Sequence, residues 1–323
     1  GVEISKDENG TITMTQTGLI DNILTLLGLN KDDKVKQHKT PAVSPPLHSD
    51  KDGSPRKFPW SYRSAIGMLL YLSRNTRPDI EYAVHTCARF QLDPKQSHEN
   101  AVKRIGRYLL GTRTKGIIFK PDINKLGELE CFVDADFAGN YTKEHSGDPN
   151  SVKSRTGCVI LYAGCPSTWF SKLQTEISLS TTEAEYIALS TACRELLPMR
   201  EMFNELRKYL EILPLIPKVR CTLFEDNVGA ETLAKAPKMT SRTKHIAIKY
   251  HHFREAVRSK ILTIKRVDTK DQLADVFTKA TTLQTFEHLR KHIMGWLAIF
   301  HLKNSVEEEE TKLFCNVCMK DRI

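Results

Sequence analysis

The apolar residues change their period near Lys120, and that change restricts the chain to a fold that mixes helices with a sheet. Downstream of it, three runs, Leu129–Asp134, Gly157–Ala163 and Ser167–Ser171, are strand-like and separated by turn-rich segments, the pattern of an antiparallel meander. A long helical stretch follows from about Thr182 to Leu210, with Pro198 placed to kink or split it. Then come a strand over Val219–Phe224, helices near Gly229–Lys235 and Ile246–Ser259, a strand over Ile261–Val267 and a helix over Gln272–Lys279. The order is βββ-α-β-αα-β-α.

Upstream the periodicity is helical. A strand-like start and a turn at Asn9-Gly10 lead into an amphipathic helix near Gly18–Leu29, with Leu19, Ile23, Leu26 and Leu27 at helical spacing. Six prolines and glycines between Thr40 and Pro59 mark a loop crossing. Helices are then expected over Tyr62–Ser73, from Arg77 through Phe90, and over Ser97–Leu110, which together read as a small helical domain. Two domains suit a chain of 323 residues.

Charge and cysteine content narrow the partners. The 48 Lys and Arg residues against 39 Asp and Glu leave a formal charge of +9, which favours a polyanion, although solvated helix faces account for many of these side chains. The longest apolar runs, Gly67–Leu72 and Trp296–Phe300, are far shorter than the about 18 residues of a membrane span, so no membrane partner is expected. Cysteines such as Cys131, Cys158 and Cys221 stand singly in apolar settings, as reduced intracellular thiols do. A start at Gly1 without an apolar signal core reads as a piece of something longer.

Four acids fall at element boundaries where a sheet and its helices can converge: Asp134, Glu185, Asp226 and Asp275, in the order D-E-D-D. Each has an ordinary reading alone. Asp134 suits a strand-to-loop turn, Glu185 a solvated helix face, Asp226 an N-cap, and Asp275 an i,i+4 pair with Lys279. As a set, crowded carboxylates repel unless a divalent cation neutralises them, and two cations about 3.5–4 Å apart would support phosphodiester hydrolysis.

The segments Phe132-Val-Asp-Ala-Asp-Phe-Ala-Gly139, Ser154-Arg-Thr-Gly157, Ser180-Thr-Thr-Glu-Ala-Glu-Tyr-Ile-Ala-Leu189, Glu225-Asp-Asn227, Ser241-Arg-Thr-Lys-His-Ile246 and Asp271-Gln-Leu-Ala-Asp-Val-Phe-Thr-Lys279 resemble, in order, the RNase H domain of copia-type LTR retrotransposons. Residues 62–72, 76–80, 82–84 and 103–112 resemble the stretch between polymerase palm and RNase H in the same Pol polyprotein, but the Tyr-x-Asp-Asp polymerase motif is absent. The resemblance implies an RNase H-like mixed five-stranded sheet with flanking helices over 121–295. It also implies a thumb- or connection-like reverse-transcriptase segment over 1–120 and a tail over 296–323.

By the same resemblance, Asp134, Glu185, Asp226 and Asp275 are catalytic and hold two Mg²⁺ ions, replaceable by Mn²⁺, to cut the RNA strand of an RNA–DNA hybrid. The rest of the polyprotein, with its palm and fingers, is then a partner, and the setting is intracellular, in a cytoplasmic virus-like particle for an active element. Asp136 and Glu183 lie two residues from the favoured acids. Glu183 projects roughly 200° around the helix from Glu185, so the two cannot share one site. Arg155, Lys172, Arg242 and Lys244 are candidate phosphate contacts.

Several features depart from the family: Arg266–Gln272 carries no His before the last acid, Pro198 interrupts a helix, and Ala247 replaces a usual acid. His288, His292, Cys315 and Cys318 have the types and order of a His₂Cys₂ zinc set and resemble an integrase zinc module, although paired thiols near a chain end are commonly incidental. The alternatives are a decayed or host-adopted fragment serving as a nucleic-acid-binding or structural scaffold, and integrase-type strand transfer, whose D-D-E order does not match. Nothing in the pattern fixes an oligomeric state.

Overall fold

The computed structural model describes residues 1–29, 36–209, 218–236 and 248–296. Glu3–Lys6 (β1) and Ile12–Thr15 (β2) pair antiparallel, and Asp7 fixes the turn between them by accepting from the N–H groups of Asn9 (3.0 Å) and Thr11 (2.8 Å). A third strand, Ile117–Phe119 (β3), joins β2 and makes a small sheet that the helical reading of this half did not anticipate. Gly116 allows it: a Cβ there would lie 2.0 Å from the Met14 carbonyl oxygen.

Helices Thr17–Leu26 (α1), Tyr62–Asn75 (α2), Glu81–Ala88 (α3) and Gln96–Leu110 (α4) fall close to their expected places. Ser61 caps α2, its hydroxyl accepting from the Ser64 N–H at 3.2 Å. The helix expected from Arg77 instead begins as a 3₁₀ turn, Pro78–Ile80, because Arg77 folds over to bind Asp79.

Glu128–Asp136 (β4), Arg155–Tyr162 (β5), Cys165–Leu173 (β6), Arg220–Glu225 (β7) and Leu262–Arg266 (β8) form a five-stranded mixed sheet in the order β6-β5-β4-β7-β8. The first three are antiparallel as expected, and β7 and β8 run parallel to β4. Thr181–Tyr209 (α5), Val228–Lys235 (α6), Arg254–Arg258 (α7), Asp275–Thr278 (α8) and Leu283–Ile293 (α9) complete the architecture.

Period-two alternation explains its layers. Leu129, Cys131, Val133, Cys158, Ile160, Cys221, Leu223, Leu262 and Ile264 face one side, where Ala188, Leu189, Ala192 and Leu196 of α5 cover them. Phe132, Val159, Leu161 and Phe224 face the other, where Phe277, Phe286 and Leu289 join the helices of the first 120 residues in one continuous core. Each fully buried large apolar side chain contributes roughly 1.5–3 kcal/mol.

Three expectations change in detail. α5 runs unbroken through Pro198; Pro198 and Arg194 are exposed, so water can satisfy the carbonyl that the proline leaves without its usual donor. Of the helix expected over 246–259, the first two residues lie outside the described ones, and the rest forms a 3₁₀ turn, Ile248–His251, and the short α7, with His251 and His252 meeting Tyr186 and Ser190 of α5 between them. The last expected helix starts three residues late because buried Gln272 spends its amide on the Val133 carbonyl (2.9 Å) and its oxygen on the Ala274 N–H (3.2 Å). Among the described residues no helix is long and apolar enough to cross a membrane, and the six cysteines are buried and free.

Candidate metal centre

Parallel pairing of β4 with β7 aligns Phe132 with Phe224, so Asp134 and Asp226, two residues further along each chain, emerge at the same end of adjacent strands. α5 crosses that end and lowers Glu185 onto them. One carboxylate oxygen from each of Asp134, Glu185 and Asp226 lies within 4.8 Å of the others. Asp134 and Glu185 are buried and Asp226 is half-buried, leaving one open side.

The fourth acid stands at the rim of this trio. Asp275 opens α8, and Lys279 bridges it to the cluster, with Nζ 2.9 Å from Asp275 Oδ1 and 3.8 Å from Asp134 Oδ2. The i,i+4 pair is therefore realised, and Asp275 joins the trio only through Lys279. Buried Thr278 donates to Asp134, and Thr269 donates to Asp226 at 3.1 Å. Gly157, opposite Asp134 in register, lets α8 approach: a Cβ there would meet Thr278, Phe277 and the Ala274 carbonyl at 2.7–2.8 Å.

The register question resolves by capping. Glu183 turns back to accept from the Leu179 N–H at 2.8 Å while the Ser180 hydroxyl accepts from the Glu183 N–H at 3.2 Å, a reciprocal cap that commits Glu183 to the helix end. Asp136 is half-buried at the end of β4 beside Gly139, outside the trio.

The electrostatics show too much negative charge for the cations present. Burial, then Glu225, Asp134 and Asp226, push the Glu185 carboxyl well above its usual range. Burial likewise raises Asp134, only partly offset by Lys279 and Thr278. Asp275 is pushed up to about 7 by burial and by Asp134. Burial works against the Lys279 ammonium, but Asp134 and Asp275 outweigh it and raise its pKa. Glu185 Oε2 is buried without a hydrogen-bond partner. An all-oxygen donor set with an unmet lone pair and surplus charge fits a hard divalent cation such as Mg²⁺ or Mn²⁺.

The remaining candidates scatter. Arg155 is 3% exposed, packs over the Tyr82 ring and donates to Ser171 at 3.1 Å, so it ties β5 to β6 and α3 instead of facing solvent. Lys172 is exposed on β6. Arg242 and Lys244 lie outside the described residues, as do Cys315 and Cys318. His288 pairs with Asp271 at 3.1 Å and lies edge-on to half-buried His292. Glu225, at the end of an apolar strand, escaped sequence reasoning; its only signal is an acid at a position whose alternation points inward.

Comparison with known proteins places these features in context. No family model matches the chain. It is 36% identical over 271 residues to the retrovirus-related Pol polyprotein from transposon RE1 of Arabidopsis thaliana, a match that takes in 84% of this chain and 17% of that protein. The corresponding protein from transposon TNT 1-94 of Nicotiana tabacum is 35% identical over 252 residues, covering 77% of this chain and 17% of the relative. A putative transposon Ty5-1 protein of Saccharomyces cerevisiae is 32% identical over 203 residues, covering 61% of this chain and 60% of its own length. The chain thus spans about a sixth of the plant polyproteins it matches. Among solved structures, RNase H1 from Halobacterium salinarum aligns at 14% identity over 47% of this chain and 94% of its own, with a TM-score of 0.31, too loose an overlay to add to the strand order.

Proposed function

The chain belongs to the copia-type retrotransposon Pol polyproteins, and from that premise we propose that it hydrolyses the RNA strand of RNA–DNA hybrids in a metal-dependent reaction during reverse transcription. The observation that carries this reading is the convergence of Asp134, Glu185 and Asp226 within 4.8 Å at the open end of a mixed five-stranded sheet. Residues 121–295 act in this reading as the RNase H domain, 1–120 as the reverse-transcriptase segment ahead of it and 296–323 as a tail.

Asp134, Glu185 and Asp226 would hold a divalent cation, with Asp275 at the rim serving a second. Bound Mg²⁺ or Mn²⁺ supplies an activated water and charge stabilisation at the leaving oxygen. The protein's own part is to place and restrain the ligands. Thr278 and Thr269 fix the carboxylates of Asp134 and Asp226, the Ser180–Glu183 cap fixes the α5 terminus, and Lys279 neutralises part of the cluster where the scissile phosphate must approach. Strand choice would rest on 2′-hydroxyl and helix-shape contacts, with exposed Lys172 and the sequence-predicted Arg242 and Lys244 on phosphates. In an active element the reaction would take place in a cytoplasmic virus-like particle beside the polymerase palm and fingers.

The test is cleavage of a labelled RNA–DNA hybrid with Mg²⁺ by the wild type and by Asp226→Asn, with duplex DNA as control. Hybrid-specific cutting that disappears in the variant supports the reading. A folded wild type that binds hybrid but never cuts it, with either metal, would leave a scaffold in its place.

A further inference from the structure

The unexpected acid is Glu225. It ends β7 on the face shared with Cys221 and Leu223, the face that α5 covers with Glu185. It is completely buried, and its neighbours fix its carboxyl: Oε1 accepts from the Asn227 N–H at 3.0 Å, while Asn227 caps α6 by accepting from the Ala230 N–H at 3.0 Å. The turn that presents Asp226 to the trio therefore also locks Glu225. Its second oxygen, Oε2, is buried without a hydrogen-bond partner, as is Oε2 of Glu185. Glu185 and Asp226 bring carboxylate oxygens within 4.8 Å of each other, and α5 packs directly on β7, so Glu225, the residue before Asp226, ends its strand in the layer that Glu185 enters.

Two buried carboxyls, each with an unmet oxygen and each next to the same trio, incur a desolvation cost that packing does not explain. We propose that Glu225 is a fifth carboxylate of the metal centre, positioned behind Glu185, where its charge and free Oε2 act on the bound cation and its coordinated water. This rests on the metal-centre reading above. Outer acceptors of this kind orient ligands and strengthen the hold on the ion, and their loss typically weakens affinity about 10–100-fold.

Glu225→Gln keeps the shape and the bond from Asn227 but removes the charge. The experiment measures Mn²⁺ affinity by the paramagnetic signal of free ion, and the urea midpoint of the chelator-treated protein, for wild type, Glu225→Gln, Glu225→Asp and Asp226→Asn. The expected result is about 10–100-fold weaker Mn²⁺ binding by Glu225→Gln. The metal-free midpoint should stay at the wild-type level because Gln keeps the shape and the bond from Asn227, and Glu225→Asp should retain most of the affinity. Wild-type affinity in Glu225→Gln would overturn the proposal in favour of a proton shared with Glu185. A lowered metal-free midpoint, or failure to fold, would overturn it in favour of a packing role. If wild type binds Mn²⁺ and only Asp226→Asn loses it, this inference alone fails; if wild type and Asp226→Asn both fail to bind, the metal-centre reading fails with it.

Discussion

Two buried polar clusters of opposite character lie in the same fold, with Asp79 of one and Lys279 of the other lining a common small cavity. In the first, Arg77 and Asp79, almost completely buried, form a two-pronged pair with both bonds at 2.9 Å. Tyr108 donates to Asp79, Arg77 also reaches Thr112 at 2.7 Å, and Arg290 of α9 donates to the Tyr108 hydroxyl at 3.0 Å. Burial alone would raise the Asp79 carboxyl, but the guanidinium prevails and holds it below the usual range. In the second cluster, five acids, Asp134, Glu185, Glu225, Asp226 and Asp275, gather around one lysine, and burial pushes Asp134, Glu185, Glu225 and Asp275 upward. A cluster whose charges close among themselves fastens helices together. One whose charges do not close stands ready for an ion from outside.

The strongest way to break this contrast is to neutralise one charged side chain in each cluster. Asp226→Asn should lower hybrid cleavage on the order of 10³–10⁴-fold, while its metal-free urea midpoint stays level or rises. Arg77→Met should do the opposite, costing about 3–5 kcal/mol in urea unfolding because Asp79 is left buried without its partner. Gly157→Ala sharpens the geometry: with no room beneath α8, Asp275, Thr278 and Lys279 lift from Asp134, and cleavage should fall more than tenfold with only a modest loss of stability.

Acidity separates the clusters more gently. Asp275 rises from 3.8 to about 7 in the folded, metal-free protein, so the unfolded chain holds fewer protons between those values and stability should fall as pH rises from about 4 to 7. Saturating Mn²⁺ should flatten that slope, and Asp275→Asn should remove most of it; a slope unchanged in both would contradict the charge-surplus account. The smallest effect belongs to Glu183→Gln, which should cost about 0.5–1 kcal/mol at the α5 cap and leave cleavage near the wild-type rate.

Strands β4 to β8 were legible because alternation and turn residues agree there. Asp134, Glu185 and Asp226 could be named from the motifs that carry the resemblance, but their convergence could not be read from spacing, because it depends on the parallel pairing of β4 with β7. The small sheet was not legible: β3 is three residues long, and its pairing with β2 spans more than 100 residues, beyond any local pattern. Arg155 misled because the first residue of a strand gives no hint of its facing, and the structure turns it inward onto Tyr82. Glu225 was hidden for the reverse reason: an acid beside Asp226 reads as solvated until β7 is placed between β4 and β8.

The continuous core on the second face of the sheet has a bearing on synthesis. Ile66, Leu69, Leu72, Ile105 and Leu109 share that core with Phe277, Phe286 and Leu289, and the Ile118 N–H is closed by the Met294 carbonyl at 2.9 Å. The ribosome therefore releases the first hundred residues long before their covering helix exists. They must wait, partly uncovered, until α9 emerges, which makes the nascent chain's most exposed interval coincide with translation of the metal-site segments.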